Sequence, residues 1–179
     1  MATRSTRRFS RGARATTRKR AVWVNIPFGN VAFTESVGNQ VLLVPEDWEA
    51  SFTGLSIESA TLRAIVGQIT IQQTVVGTTG GNLFWGIYIN GANETAVPVF
   101  TTSGMSEVLW LRTGTRPTAA SVSAAASAQS WSNVEPIDVK AKRKLTSATQ
   151  ISICAQYGSD AAAPAGVIGG LLRFLVARD

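Results

Sequence analysis

The strongest constraint on the fold is the alternation of apolar and polar residues in the last third of the chain. Between Val134 and Leu145 the apolar positions alternate with the charged residues Asp138, Lys140, Lys142 and Lys144. Between Thr149 and Tyr157 the same period places on one side Ile151, Ile153, Ala155 and Tyr157. A period of two gives a strand one apolar and one polar face, whereas a helix would spread both sets around its axis. Two β-strands with one buried face are therefore predicted.

Further β-type segments, separated by turn-forming residues, follow one another from Ala21 onwards. The predicted strands are Ala21–Phe28, Gln40–Val44, Ile57–Val76, Leu83–Ile89 and Val167–Ala177, with shorter apolar pieces at Val97–Phe100 and Val108–Leu111. The apolar residues change phase within Ile57–Val76, which predicts a β-bulge near Ala64–Val66. Turns or loops are predicted at Gly77–Asn82, Asn90-Gly91, Thr113–Asn133 and Ser159–Pro164. The one helical segment predicted is a single turn at Pro45–Glu49.

About eight strands joined by long loops predict that residues 21–179 form one all-β sandwich domain. A jelly roll and an immunoglobulin-like sandwich both fit this pattern. The Cys-Trp-Cys spacing of immunoglobulin domains is absent, because the chain has a single cysteine, Cys154. The long strands and loops favour the jelly roll, with eight strands. Cys154 lies in a predicted strand and is interpreted as a small packing residue.

The first twenty residues differ from the rest of the chain in charge. Met1–Arg20, called the arm below, holds seven arginines, one lysine and no acid, and so carries +8. The other residues hold nine Lys and Arg against eleven Asp and Glu, and so carry −2. The arm has too little apolar surface to offset its ordering entropy, and its like charges repel. We expect the arm to be disordered until it meets a polyanion.

Arginine presents a planar, permanently charged fork that matches phosphate geometry, so the arm is predicted to bind nucleic acid. The predicted binding residues are Arg4, Arg7, Arg8, Arg11, Arg14, Arg18, Lys19 and Arg20. A merely solubilising tail and a mitochondrial transit peptide are the alternatives. The second needs an amphipathic helix, yet Phe9 is the arm's only large apolar residue. The Arg18-Lys19-Arg20 cluster also fits a nuclear import signal.

A second basic cluster in the alternating strand consists of Lys140, Lys142, Arg143 and Lys144, and the alternation places its three lysines on one face. These side chains could bind phosphate. Equally, they could be solvated lysines that protect a sheet edge from aggregation. Both interpretations remain open at this point.

The sequence offers little support for enzyme chemistry. The chain contains no histidine, which removes the usual general base and the Ser-His-Asp and Cys-His arrangements. The glycine-rich Gly77–Gly81 segment lacks the lysine of a phosphate-binding loop, and the carboxylates form no motif. We expect no catalysis, cofactor or metal. We also expect no membrane insertion, because the apolar stretch Val167–Ala177 is short and contains Arg173.

The five tryptophans are interpreted as core or interface anchors, with base stacking by an exposed one as the minor alternative. They are Trp23, Trp48, Trp85, Trp110 and Trp131. The long loop at Thr113–Asn133 is expected to face outwards.

Four segments carry a resemblance to a known family: the arm, the long opening β-segment, the Glu107-Val108-Leu109-Trp110 piece and above all the run from Ile137 to Leu145 (IDVKAKRKL). In these segments the chain resembles coat proteins of small circular single-stranded DNA viruses that encode their own replication initiator. The resemblance covers the layout of the chain, but its specific part is about nine residues. It implies a jelly roll that assembles into an icosahedral shell, ~60 copies for the simplest T=1 arrangement. It also implies a genome bound inside by the arms, a virion location and assembly in the host nucleus. Small satellite RNA viruses share this plan, so the genome type stays open. A cellular nucleic-acid-binding β-barrel module with a basic tail is the alternative function.

Overall fold

The computed structural model describes residues 21–35, 38–52, 58–75, 82–91, 108–115, 132–158 and 165–178. These form eight β-strands and one short helix. In chain order they are β1 Ala21–Phe33, β2 Gly38–Leu43, α1 Pro45–Glu49, β3 Ser59–Val75, β4 Asn82–Gly91, β5 Val108–Thr115, β6 Ser132–Thr146, β7 Thr149–Tyr157 and β8 Ala165–Arg178.

The strands form two antiparallel four-stranded sheets. The first sheet has the order β1-β8-β3-β6 and the second sheet the order β2-β7-β4-β5. The pairs β1-β8, β2-β7, β3-β6 and β4-β5 are nested, so the chain behaves as one long hairpin rolled into two layers. Nested pairs that alternate between two sheets define a jelly roll. The predicted all-β jelly roll with eight strands is therefore confirmed.

The hydrophobic core lies between the two sheets. Most strands contribute alternate residues to it, as the period of two requires, and in β3 Ile65, Ile69 and Ile71 are fully buried. Ile168 and Phe174 from β8 pack in the same cluster. Full burial of side chains of this size stabilises the fold by roughly 1.5–3 kcal/mol each.

Three register shifts adjust the first sheet, one of them between Gln73 and Val75 in the β3-β8 pair. The pairing of β3 shifts register between Leu62 and Ala64 against both neighbours, within two residues of the predicted bulge. A second shift in β1 lies between Phe28 and Val31, and Asn30 there has a φ of 57°. Asparagine tolerates this left-handed conformation better than most residues, which allows β1 to continue past its predicted end.

The helical turn α1 confirms the prediction at Pro45–Glu49. Pro45 occupies a first-turn position, and the Val44 amide donates a hydrogen bond to Asp47 Oδ2 over 3.0 Å. Trp48 is 1% exposed and belongs to the core cluster. The turn therefore closes the core beside β2.

Some local predictions differ from the structure or fall outside it. Asn90 and Gly91 are not a turn: their backbones pair with Gln150 and Thr149 in the β4-β7 ladder, because cross-strand hydrogen bonds outweigh the local preference. Met1–Arg20, Val97–Phe100 and Ser159–Pro164 lie outside the described residues, as do most of the predicted loops at 77–82 and 113–133.

Candidate nucleic-acid interface

The arm joins the fold at one end of the first sheet. Its eight predicted binding residues lie outside the described part of the chain, so their role stays a prediction. The first residue after the arm, Ala21, pairs with Ala177 of β8. The arm is thus tethered to the sheet corner where β1 begins and β8 ends.

Lys140, Lys142 and Lys144 are exposed on β6, as the alternation predicts. β6 is an edge strand of the first sheet, and Ile137 on its opposite face is buried. The lysines therefore point away from the core, on the outer face of the sheet. This geometry fits both a phosphate-binding surface and an edge protected by charge.

Arg63 joins the lysines across the β3-β6 ladder, which the sequence did not reveal. In the register of this pair, Thr61 lies opposite Lys144 and Ala64 opposite Lys140. Arg63 therefore stands beside the bulge that contains Lys142, and it is exposed. The bulge brings these cations together, because it lets two residues of β6 oppose one of β3.

Arg143 takes a different direction from the lysines on either side of it. It has the inward phase of Val139 and lies beside an open pocket of about 190 Å³ between the edges of β5 and β6. This pocket is lined by Val108, Leu109, Val139, Lys140, Ala141, Lys142 and Arg143. Arg143 is therefore separate from the basic group on the outer face.

Trp23 and Arg173 form a second feature of the outer face. Trp23 is 41% exposed on β1, and the Arg173 guanidinium lies 4.9 Å from its ring centroid. Arg173 Nε donates to Asn25 Oδ1 over 3.0 Å. The cation–π contact and this hydrogen bond hold the indole and the guanidinium in a fixed relation.

The other tryptophans have different environments. Trp48 and Trp85 are buried in the core, as predicted, and Trp131 lies outside the described residues. Trp110 is half-buried on β5 with the Arg112 guanidinium 5.9 Å from its ring centroid. Trp23 is thus the most exposed tryptophan among those that the structure describes.

Cys154 is free and fully buried, which confirms its interpretation as a packing residue. Burial raises the pKa of the thiol to about 12. Burial, and to a smaller extent the nearby Cys154, also raises the pKa of Tyr88. A neutral, buried thiol is a poor nucleophile.

Within the described ranges, no group of three or more His, Cys, Asp or Glu side chains could hold a metal ion. In that same part of the chain, no helix is long and apolar enough to span a bilayer.

No protein-family model matches this chain, and no curated protein matches it. Among solved structures it is similar to a chain of infectious bursal disease virus Gx strain, with 14% identity and a TM-score of 0.40 over 88% of this chain and 32% of that one. A chain of turnip yellow mosaic virus shares 12% identity with a TM-score of 0.29 over 89% of this chain and 96% of that one. A chain of Desmodium yellow mottle tymovirus shares 12% identity with a TM-score of 0.30 over 89% of each chain. This chain spans about a third of the first of these chains. The jelly-roll assignment rests on the strand order described above.

Proposed function

We propose that this chain is a viral coat protein that assembles into a closed shell and packages a single-stranded genome through its arm. The proposed binding residues are those of the arm together with Lys140, Lys142 and Lys144. The protein has no catalytic role in this proposal.

One observation carries the proposal: the arm, with a charge of +8, leads directly into the first strand of a jelly roll, while the rest of the chain, residues 21–179, carries −2. Jelly rolls occur in viral capsid and lectin domains and in cupins, and a strongly basic tail selects among these uses. A tail of this charge requires a polyanion close by, which a packaged genome supplies.

The cellular alternative fits less well. An OB-type barrel has five strands in one partly open barrel, whereas this chain has eight strands in two sheets. The observation that would favour such a module is a particle of few subunits.

The finer assignment to small circular single-stranded DNA viruses rests on the resemblance around IDVKAKRKL. This finer assignment includes ~60 copies in an icosahedral shell, assembly in the host nucleus and import through Arg18-Lys19-Arg20. The shell and the basic arm do not depend on this finer assignment.

Salt-dependent binding of the full chain to single-stranded oligonucleotides tests the arm's role. If all eight charges engage, the logarithm of the affinity falls with the logarithm of the salt concentration at a slope of −0.7 × 8, about −6, or more steeply if the body adds contacts. Fluorescence anisotropy at several salt concentrations measures this slope.

Two arm variants make this test specific. Replacing all eight Arg and Lys of the arm by Gln removes most of the slope, whereas a scrambled arm of the same composition binds as the wild type does, because phosphate contacts ignore sequence. A wild-type slope near zero, or loss of binding on scrambling, rules out the proposed role of the arm.

A further inference from the structure

We infer that the outer face of the first sheet, at the end where the arm begins, is a second binding surface for single-stranded nucleic acid. There Trp23 stacks on a base while cations on the neighbouring strands bind phosphates. We call this surface the basic platform, and it consists of Trp23, Arg63, Lys140, Lys142, Lys144 and Arg173. The inference rests on the proposed function and adds to it a specific site on the folded domain.

The strand register brings these residues to one end of one face. Ala21, Ala177, Thr61 and Lys144 form a single row across all four strands, at the corner where the arm is attached. In the next outward row Trp23 pairs with Leu175, Leu175 with Ala64, and Ala64 with Lys140. A nucleic-acid strand that extends from the arm onto the folded domain therefore reaches the platform first.

Trp23 has the exposure and the setting that base stacking needs. The residue is 41% exposed, and the Arg173 guanidinium lies over the ring, 4.9 Å from its centroid. Aromatic side chains are recurrent stacking platforms for single strands, arginine adds cation–π contributions to them, and they tolerate any base because every base has a π-face. Asn25 holds Arg173 through its 3.0 Å hydrogen bond, so this geometry exists before the ligand binds.

The charge on this face is strongly one-sided. Five cations point outward, and Asp138 is the only acidic residue with the outward phase in the four strands as described. Glu135, the other acid of β6, has the inward phase and accepts a hydrogen bond from Asn133. An unbalanced cluster of cations attracts phosphates and releases their counterions.

The dimensions of the platform suit an extended single strand of nucleic acid. Neighbouring strands lie roughly 4.8 Å apart, so the platform is about 14 Å wide from β1 to β6. Trp23 lies on one side of it and the lysines on the other. A base and its neighbouring phosphates can therefore contact the platform at the same time.

A second copy of the chain is the competing occupant. Exposed apolar residues do lie on this face, but Leu171 and Val134 are nearer its other end, in rows that carry no cation. At the platform itself, a two-fold contact that places the platforms of two copies face to face would bring like charges together, which opposes association. A polyanion is the occupant that matches the charge.

Photocrosslinking tests the stacking contact in the full chain. Single-stranded oligonucleotides that contain 5-bromodeoxyuridine are irradiated with the protein, and the crosslinked residue is identified by mass spectrometry. We expect a crosslink at Trp23 and none at the buried Trp48. Trp23→Ala weakens binding about 5- to 150-fold, the range for loss of one stacked base, while Trp23→Phe retains most of the affinity.

The salt slope tests the phosphate contacts. Lys142→Gln with Lys144→Gln flattens the slope by 0.7 × 2, about 1.4, and Arg173→Gln flattens it by about 0.7. Arg112→Gln is the matched control, because Arg112 also lies over a tryptophan but on the second sheet, and it leaves the slope unchanged.

The outcomes separate the two proposals. The platform is overturned, and the arm's role left intact, if wild-type binding has a steep salt slope but gives no Trp23 crosslink and all platform variants keep the wild-type affinity and slope. A Trp23→Ala variant that alters particle size but binds single strands with the affinity of the wild type assigns the face to a subunit contact and overturns the platform. Failure of the wild type to bind single strands overturns both proposals.

Discussion

At the residue scale, burial changes the chemistry of Cys154. The folded thiol keeps its proton up to about pH 12, compared with an ordinary value of 9.0. Between pH 9 and pH 12 the unfolded chain binds fewer protons than the folded chain, so the free energy of unfolding falls as the pH rises above about 9. Below about pH 9 the thiol is protonated in both states and causes no change in this free energy.

We expect Cys154→Ala to remove this pH dependence. At pH 10 the unfolded thiol is mostly ionised, which corresponds to a loss of about 1.4 kcal/mol in the wild type relative to pH 7. Denaturant unfolding under reducing conditions at both pH values measures the difference. Tyr88 contributes its own decrease to both proteins, so the difference between them isolates the thiol. An equal decrease in the wild type and the variant would contradict the account.

The inward faces of the strands could be predicted residue by residue, but the platform could not. Ile151 and Ile153 follow a local period that the sequence shows directly, and both are fully buried. Trp23 and Arg173 are separated by most of the chain and meet only through the β1-β8 register. Gly67 is similar: its φ of 153° and the close approach of the Leu171 carbonyl oxygen, which leaves no space for a side chain, depend on a neighbouring strand.

At the element scale, we propose separate tasks for the arm, which has too little apolar surface to pack into a core, and for the strands, which form the folded domain. β1 pairs along Ala21–Phe33 with a single neighbour in the sheet, β8. β8, in contrast, pairs with both β1 and β3 and holds the first sheet together.

Deleting Met1–Arg20 is therefore expected to preserve the β-type circular dichroism spectrum and the thermal unfolding midpoint. Deleting residues 165–179 removes the strand between β1 and β3 and is expected to abolish cooperative unfolding. Circular dichroism with thermal melts compares the two deletions. Loss of β-structure in the arm deletion would show that the arm is part of the fold.

Strand positions were predictable because each strand carries its own period, and β7 matches its predicted bounds at Thr149–Tyr157. The ends were less predictable where a neighbour extends the ladder. β5, predicted to end at Leu111, continues to Thr115 because β4 pairs with it as far as Asn82. Partner strands, which lie far away in sequence, determine such ends.

At the scale of the whole molecule, the nested strand order is a non-local property. Local patterns indicated a sandwich and favoured the jelly roll, but the pairing of β1 with β8 joins the two ends of the domain. The number of subunits depends on surfaces between copies, which one chain's periodicity does not encode.

Assembly and nucleic-acid binding are coupled in this account. About 60 copies would bring 60 × 8, or about 480, positive charges from the arms into one cavity, and their repulsion opposes closure without a counter-charge. We therefore expect nucleic acid to promote assembly, and high salt or removal of the arm to promote empty shells.

Sedimentation velocity of the full chain with single-stranded DNA tests the shell most directly. At 19.0 kDa per chain, ~60 copies give a protein mass of about 1.1 MDa. The account predicts one fast-sedimenting species near this mass plus its nucleic acid, with closed particles in the same fraction by electron microscopy. A monodisperse species of one to four subunits, at high protein concentration and with nucleic acid present, would contradict it.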